Sequence, residues 1–255
     1  MRPSSTLCRS WRAFASVSCL LVMSAVAAAD AAPAAARYKH YLTGNPADVV
    51  RPTAGLLVLQ GGGDDVDENF RRMGTRGGGG DFVVLRATGD DGYQAYIHGL
   101  CHCDSVETLI VDSRAAAFDP YVVATVRNAE ALFIAGGDQA NYVRYWKGTP
   151  LEDAIHFVAA KPAPIGGTSA GMAILGEFSS SAMTPDSLTS ATALADPYAP
   201  DVTLERDFLD LPGLRGLLTD QHLQERDRVG RTVTLLARLL HDGWTTEARA
   251  IAADR

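Results

Sequence analysis

The stretch Gly167-Thr168-Ser169-Ala170-Gly171 has the spacing G-x-S-x-G. Between a strand and a helix this pattern marks a nucleophile elbow, because the tight turn lifts the serine hydroxyl into a cleft. Apolar Ala163-Pro164-Ile165 precedes it and Met172-Ala173-Ile174-Leu175 follows it, which is the required context. Acyl transfer through a serine needs a base within hydrogen-bond reach, N–H donors for the oxyanion and a group that holds the base's tautomer. Ser169 is the candidate nucleophile. The N–H of Ala170, at a helix N-terminus, is one candidate oxyanion donor. Gly62 and Gly63 supply a second, since main chain approaches closely where no Cβ intervenes. The run Gly61-Gly62-Gly63 also reads as an ordinary turn at a strand end.

Of the six histidines, His156 falls mid-helix and His241 at a helix C-terminus, where a cation is favoured in any case. His222 differs. It ends Thr219-Asp220-Gln221-His222, just after apolar Leu217-Leu218, and Arg226, Arg228 and Arg231 follow closely. A base beside guanidinium groups suits a substrate carboxylate, which arginine holds bidentately. The plainer reading of those arginines is a solvated helix face.

Several short runs are apolar at consecutive positions: Gly55 to Leu59, Asp81 to Leu85, Val106 to Val111 and Ala131 to Ile134. Such runs suit strands buried on both faces. Helical segments are expected over Pro120 to Ala129, Asn141 to Lys147 and Leu151 to Ala160. This alternation predicts an α/β fold with a mostly parallel sheet covered on both faces. Ligands of such sheets gather beyond the carboxyl ends of the strands. There lie the glycine run after Gln60, Gly136-Gly137-Asp138-Gln139 and the serine turn. Residues 177 to 212, rich in Ser, Thr, Asp and Pro, read as a long excursion. A strong helix is expected over Gln224 to Leu240, with Val229, Val233, Leu236 and Leu240 on one face. Residues Ala250 to Ala252 would start a strand.

The first 29 residues have the layout of a secretory signal peptide: basic Arg2, Arg9 and Arg12, an apolar run from Phe14 to Val26, then Ala27-Ala28-Ala29. This layout predicts a secreted or periplasmic protein, with residues 30–54 as a leader and 55–255 as the catalytic domain. Cleavage after Ala29 would leave 20 of the 23 basic residues against 30 acidic ones, moving the formal charge from -7 to -10. An acidic surface argues against a nucleic-acid partner, and no later stretch has the length and apolarity of a membrane span. Cys101-His102-Cys103 lacks the second ligand pair of a structural zinc site, so no metal is expected. Positions i and i+2 on a strand suit a mutual disulfide poorly, and semi-buried thiols are the expectation.

In this order, FIAGGDQ, GGTSAG, TDQH and RDRVGR resemble the cyanophycinase and aspartyl-dipeptidase group of serine peptidases, peptidase family S51. The likeness covers roughly residues 55 to 255, and includes Tyr145-Trp146-Lys147-Gly148-Thr149-Pro150 and Arg206-Asp207-Phe208-Leu209. The resemblance implies a three-layer, flavodoxin-like sandwich of the class I glutamine amidotransferase type. It implies Ser169 as nucleophile and His222 as base, with no metal or organic cofactor. It associates Gln139, Asp220, Gln221, Arg226, Arg228 and Arg231 with substrate binding. The implied substrate is a polymer with a poly-aspartate backbone and arginine side groups, or a related isoaspartyl peptide. Its free α-carboxylate would meet an arginine, and an acid such as Asp138 its guanidinium. A homodimer is also expected.

Two departures stand out. Where close relatives read T-S-x-E-A-L, this chain has Thr189-Ser190-Ala191-Thr192-Ala193-Leu194, so the acid expected to orient the histidine is absent at Thr192. Glu177, Asp186 and Asp196 are the candidate substitutes. Relatives also continue beyond the position of Arg255, which implies a further C-terminal lobe. These departures motivate an alternative, a catalytically weak relative that binds an Asp- or Arg-containing peptide. The pentapeptide alone would also suit an esterase of the α/β-hydrolase kind.

Overall fold

The structure is a computed structural model and describes residues 37–184 and 187–254. The expected signal peptide lies outside the described residues. Six strands form the central sheet: β1 (Lys39–Gly44), β2 (Leu56–Gln60), β3 (Asp81–Arg86), β4 (Ser105–Ile110), β5 (Ala131–Ile134) and β6 (Pro164–Thr168). Their spatial order is β1-β4-β3-β5-β6-β2. All neighbours are parallel except β1, which pairs antiparallel with β4. The strands β7 (Phe178–Ser180), β8 (Leu204–Arg206), β9 (Leu217–Gln221) and β10 (Arg249–Ala253) make a second sheet in the order β10-β9-β7-β8.

Both faces of the central sheet are covered, which explains why its strands read as apolar runs rather than alternating ones. On one face, Val83, Leu85, Leu132 and Ile134 pack under Val122 and Val126 of α4 (Pro120–Asn128) and Leu151, Ile155 and Val158 of α6 (Pro150–Ala160). On the other, Phe82, Val84 and Phe133 meet Phe70 and Met73 of α1 (Asp67–Arg76) and Ile97 of α2 (Gln94–Cys101). Short α3 (Arg114–Ala117) precedes α4, and α5 (Gln139–Trp146) precedes α6. The starts of α4 and α5 follow from their caps: Asp119 accepts from the Tyr121 N–H with Pro120 behind it, and Asp138 accepts from the Ala140 N–H. The α/β class with its mostly parallel sheet is therefore the observed one.

Four features differ from the sequence reading. Part of the expected leader is structural, since β1 completes one edge of the central sheet. The 177–212 excursion carries β7, β8 and the helix α8 (Ser190–Ala195). Cys101 and Cys103 form a disulfide across a Cα–Cα distance of 5.2 Å. They do not share a strand: Cys101 ends α2, and His102 between them turns left-handed with φ 51. That turn brings together two side chains that a strand would hold parallel.

The last difference concerns the C-terminal helix. Residues 224–228 form turns, and α9 spans Val229–His241. It buries Arg231, Thr232, Thr234, Leu235 and Leu239, while Val229, Val233 and Leu240 face outward. Polar bonds set this rotation, because Arg231 and Thr232 both bind the buried Asp220 carboxylate at the end of β9. The contrast is measurable by urea unfolding. Leu235→Ala, at a residue with 0% exposure, is expected to cost about 2–4 kcal/mol. Val233→Ala, at 55% exposure, should stay within about 0.5 kcal/mol.

Candidate active site

Ser169 sits between β6 and the short helix α7 (Ala170–Ala173), with φ 51 and ψ -121. A non-glycine residue at positive φ is strained by about 1–3 kcal/mol, a feature typical of functional turns. The two glycines of the pentapeptide make the turn fit. A Cβ on Gly167 would lie 2.6 Å from backbone atoms of Gly171, and one on Gly171 would lie 2.0 Å from the Ile134 carbonyl oxygen. Only glycine at both places lets α7 settle this closely on β5 and β6.

The end of β2 then joins the serine to the histidine. The Ser169 N–H donates to the Gln60 carbonyl at 2.9 Å, and the His222 N–H donates to the Gly61 carbonyl at 3.0 Å. Two consecutive carbonyls thus place residues that lie 53 positions apart in the chain. The result is a Ser169 Oγ to His222 Nε2 distance of 2.8 Å, within hydrogen-bond range. His222 is buried at 4% exposure. Its other ring nitrogen, Nδ1, lies 2.5 Å from Glu225 Oε2.

The glycine run is more than a turn. A Cβ on Gly61 would fall 1.8 Å from the Ala253 carbonyl oxygen of β10. One on Gly62, whose φ is 122, would fall 2.1 Å from the His222 ring. The backbone at Gly62 therefore forms a wall of the base's pocket. Gly63 is exposed just beyond it, and Ala170, the first residue of α7, is buried. On the opposite side a Cβ on Gly136 would be 3.4 Å from the Ser169 Cβ, so Gly136 flanks the nucleophile. Exposed Asp138 stands two residues on, with one oxygen engaged in capping α5.

The expected substrate-binding residues divide into two groups. Asp220 and Arg231 are buried at 1% and 2% exposure and are ion-paired with each other. Asp220 also accepts from the Thr232 hydroxyl at 2.6 Å and from the Gln221 N–H at 2.9 Å. Gln221 Oε1 takes Arg228 Nη1 at 2.8 Å and Arg231 Nη2 at 2.9 Å, and the Gln221 amide reaches Gln139 Oε1 at 3.3 Å. Gln139 in turn donates to the Ser180 carbonyl at 3.1 Å. Asp220, Arg231, Gln139 and Gln221 are thus bonded to one another and form a scaffold.

Arg228 belongs to the second group. It is only 6% exposed, yet its partners are neutral: the Gln221 carbonyl and amide oxygens and the Ser187 hydroxyl. Its Nε is buried with no hydrogen-bond partner among the described residues. Burial, followed by the neighbouring Arg231 charge, pulls its pKa down to about 10, so it remains a cation at neutral pH. Asp220 and Glu225 oppose that shift only in part, and a desolvated cation with no carboxylate bonded to it is costly. Arg226 is exposed on the same turn.

The candidate substitutes for the missing acid are accounted for elsewhere. Glu177 accepts from the Gly216 N–H at 2.6 Å, and Asp196 accepts from the Tyr198 N–H at 2.9 Å within its own turn. Asp186 lies outside the described residues. The sequence reading missed Glu225. Its signal was an acid three residues after the base, which reaches the ring only because the intervening chain turns.

Comparison with known proteins bears on the family likeness of the chain. The model of peptidase family S51 matches residues 90–197, a span that contains Ser169 and stops before His222. Cyanophycinases of Synechococcus elongatus and Thermosynechococcus vestitus are each 30% identical over 133 residues, 52% of this chain. The matched stretch spans 38% of the length of each of those relatives. A solved peptidase from an acI-B1 Actinobacterium shares the fold with TM-score 0.52 and 17% identity, over 72% of this chain and 76% of its own. Over this central part, then, the chain is similar to peptidase family S51 and to the cyanophycinases.

The scaffold has a direct test. Asp220→Asn removes the only ion-pair partner of buried Arg231 among the described residues and should cost about 3 kcal/mol or more in urea unfolding. A loss below about 1 kcal/mol would show that the pair does not hold β9 to α9.

Proposed function

We propose that this chain is a secreted serine-type exopeptidase of the cyanophycinase kind, cleaving isoaspartyl bonds next to a free carboxylate. The observation that carries the reading is the 2.8 Å contact between Ser169 Oγ and buried His222 Nε2 at a strained strand-to-helix turn. In this reading Ser169 Oγ attacks the amide carbonyl while His222 Nε2 takes its proton. The carbonyl oxygen would gain negative charge beside the Gly62–Gly63 backbone and the Ala170 N–H, which would serve as its donors. His222 then returns the proton to the leaving amine, and water repeats the sequence on the acyl-enzyme.

The substrate class is supported by charge. Arg228, on the turn that follows the base, is a buried cation whose Nε has no hydrogen-bond partner among the described residues, and a carboxylate is the group that would satisfy it. A β-linked aspartyl residue carries such a carboxylate next to its scissile amide. Asp138, beside Gly136 on the other flank, suits a guanidinium on the same substrate. The basic, apolar and small-residue opening of the chain supports export, and so a polymer or peptide met outside the cytoplasm.

The test is hydrolysis of a β-Asp-Arg polymer and of isoaspartyl dipeptides, against α-linked Asp peptides and short acyl esters. Serine-dependent cleavage of the β-linked compounds is the expected result, abolished in Ser169→Ala with folding intact. Cleavage of esters alone would favour an esterase, and no cleavage by a folded chain would favour a peptide-binding role. Arg228→Met gives a second check, because binding and stability should separate. kcat/KM should fall about thirtyfold or more, while the urea midpoint stays level or rises, since a poorly compensated buried cation has been removed. Loss of both together would make Arg228 a structural residue.

A further inference from the structure

The base of this site is held from its own turn. Thr192, where the resemblance places an orienting acid, is exposed and engaged locally. Its hydroxyl accepts from the Thr189 N–H at 3.0 Å, and its own N–H donates to the Thr189 hydroxyl at 3.3 Å, a capping box at the start of α8. Thr192 therefore serves its helix. The carboxylate at His222 Nδ1 comes instead from Glu225, three residues downstream, at 2.5 Å.

The geometry of the intervening chain makes this reach possible. His222 adopts φ 49, a left-handed conformation that turns the chain at the end of β9. The Arg226 N–H closes the turn onto the His222 carbonyl at 3.2 Å, and the Arg228 N–H donates to the Leu223 carbonyl at 2.7 Å. Asp254, just past β10, clamps the turn from outside. Its carboxylate accepts from the Gln224 N–H at 2.9 Å and from the Glu225 N–H at 3.2 Å. The backbone that carries Glu225 is thus tied at both ends of the turn and from the neighbouring strand.

We propose that Glu225 is the positioning carboxylate of the site, transferred from the helix that carries Thr192 to the turn that carries the base. The proposal rests on the Ser169–His222 reading and deepens it. Glu225 receives the Nδ1–H, which leaves Nε2 unprotonated to accept the proton of Ser169 Oγ–H. When that proton arrives, the imidazolium is stabilised by an ionised neighbour and Glu225 keeps its charge. The groups facing the ring are Ser169, the Gly62 backbone and Glu225. The bond from His222, aided by the charges of His222 and Arg226, holds the Glu225 carboxyl below its ordinary range, against desolvation and the nearby Asp254 charge.

Exposure makes this arrangement distinctive. The Glu225 side chain is 51% exposed, whereas the His222 side chain is 5% exposed. A solvent-facing carboxylate leaves a solvent-facing gap when removed, so a small free carboxylate can enter and take its place at Nδ1. A purely structural glutamate would not be replaced in this way.

The experiment uses Glu225→Gln and Glu225→Ala in the full chain, with Glu247→Gln as control. Two readouts are taken: kcat and KM on the cleaved isoaspartyl compound, and ring-nitrogen NMR of His222 in a Ser169→Ala background. kcat is expected to fall about a hundredfold or more in both Glu225 variants, with KM within about twofold. Formate should restore Glu225→Ala at least about tenfold and leave Glu225→Gln unchanged, because the amide still fills the gap. The Nδ1–H signal of His222 should be lost or shifted in both. A kcat for Glu225→Gln within about threefold of the parent, or an unaltered Nδ1–H signal, overturns the proposal. If the parent cleaves none of the compounds, the proposed function fails while the NMR readout still decides the role of Glu225.

Discussion

The site depends on the last two carbonyls of the β2 end. Gln60 and Gly61 accept from the N–H groups of Ser169 and His222, so one stretch of main chain positions both the nucleophile and the base. Backbone hydrogen bonds are the stiffest attachment a chain offers, and these two run along adjacent peptide units. The side-chain contact of 2.8 Å between Ser169 and His222 follows from them. The surrounding glycines are consequences of the same closeness. Gly61 admits β10, Gly62 admits the His222 ring, and Gly167 and Gly171 let the elbow lie flat on the sheet. The second sheet meets the first at this point, because β9 delivers His222 and β10 delivers Asp254 to the same corner.

Behind that corner lies a polar core. Asp220, Arg231, Gln221 and Gln139 bond to one another in the interior, and α9 is rotated to take part. Fully bonded buried networks rigidify and specify one arrangement, whereas a gap in one is costly. The gap here is at Arg228, whose hydrogen-bond partners are all neutral and whose Nε has none among the described residues. In the proposed function that imbalance would have a use, since a carboxylate ligand would supply a charged partner.

Much of this was legible in the sequence, for identifiable reasons. The runs that became β2, β3, β4 and β5 were readable because strands covered on both faces are apolar at every position. The start of α4 was readable from Asp119 and Pro120. Ser169 and His222 stood out because their neighbours were unusual, and the structure brings the two together. Other features turned on contacts that spacing does not encode. The apolar stripe of α9 suggested the wrong buried face, because Asp220, remote in sequence, captures Arg231 and Thr232. The disulfide needed a left-handed His102. Glu225 was hidden inside a charged run and reaches His222 only through a turn clamped by Asp254. The edge strand β1, with alternating exposure, lacked the continuous apolar signal of the central strands.

The most direct measurement of the central claim is the intact mass of the chain after exposure to a phosphonofluoridate, followed by peptide mapping. Such a reagent labels a serine only when a neighbouring base activates it. The predicted result is a single adduct on Ser169, formed by the parent chain and abolished in His222→Ala while that variant stays folded. An unlabelled Ser169 in a folded parent chain, or equal labelling without His222, would contradict the activated pair on which the rest of the site is built.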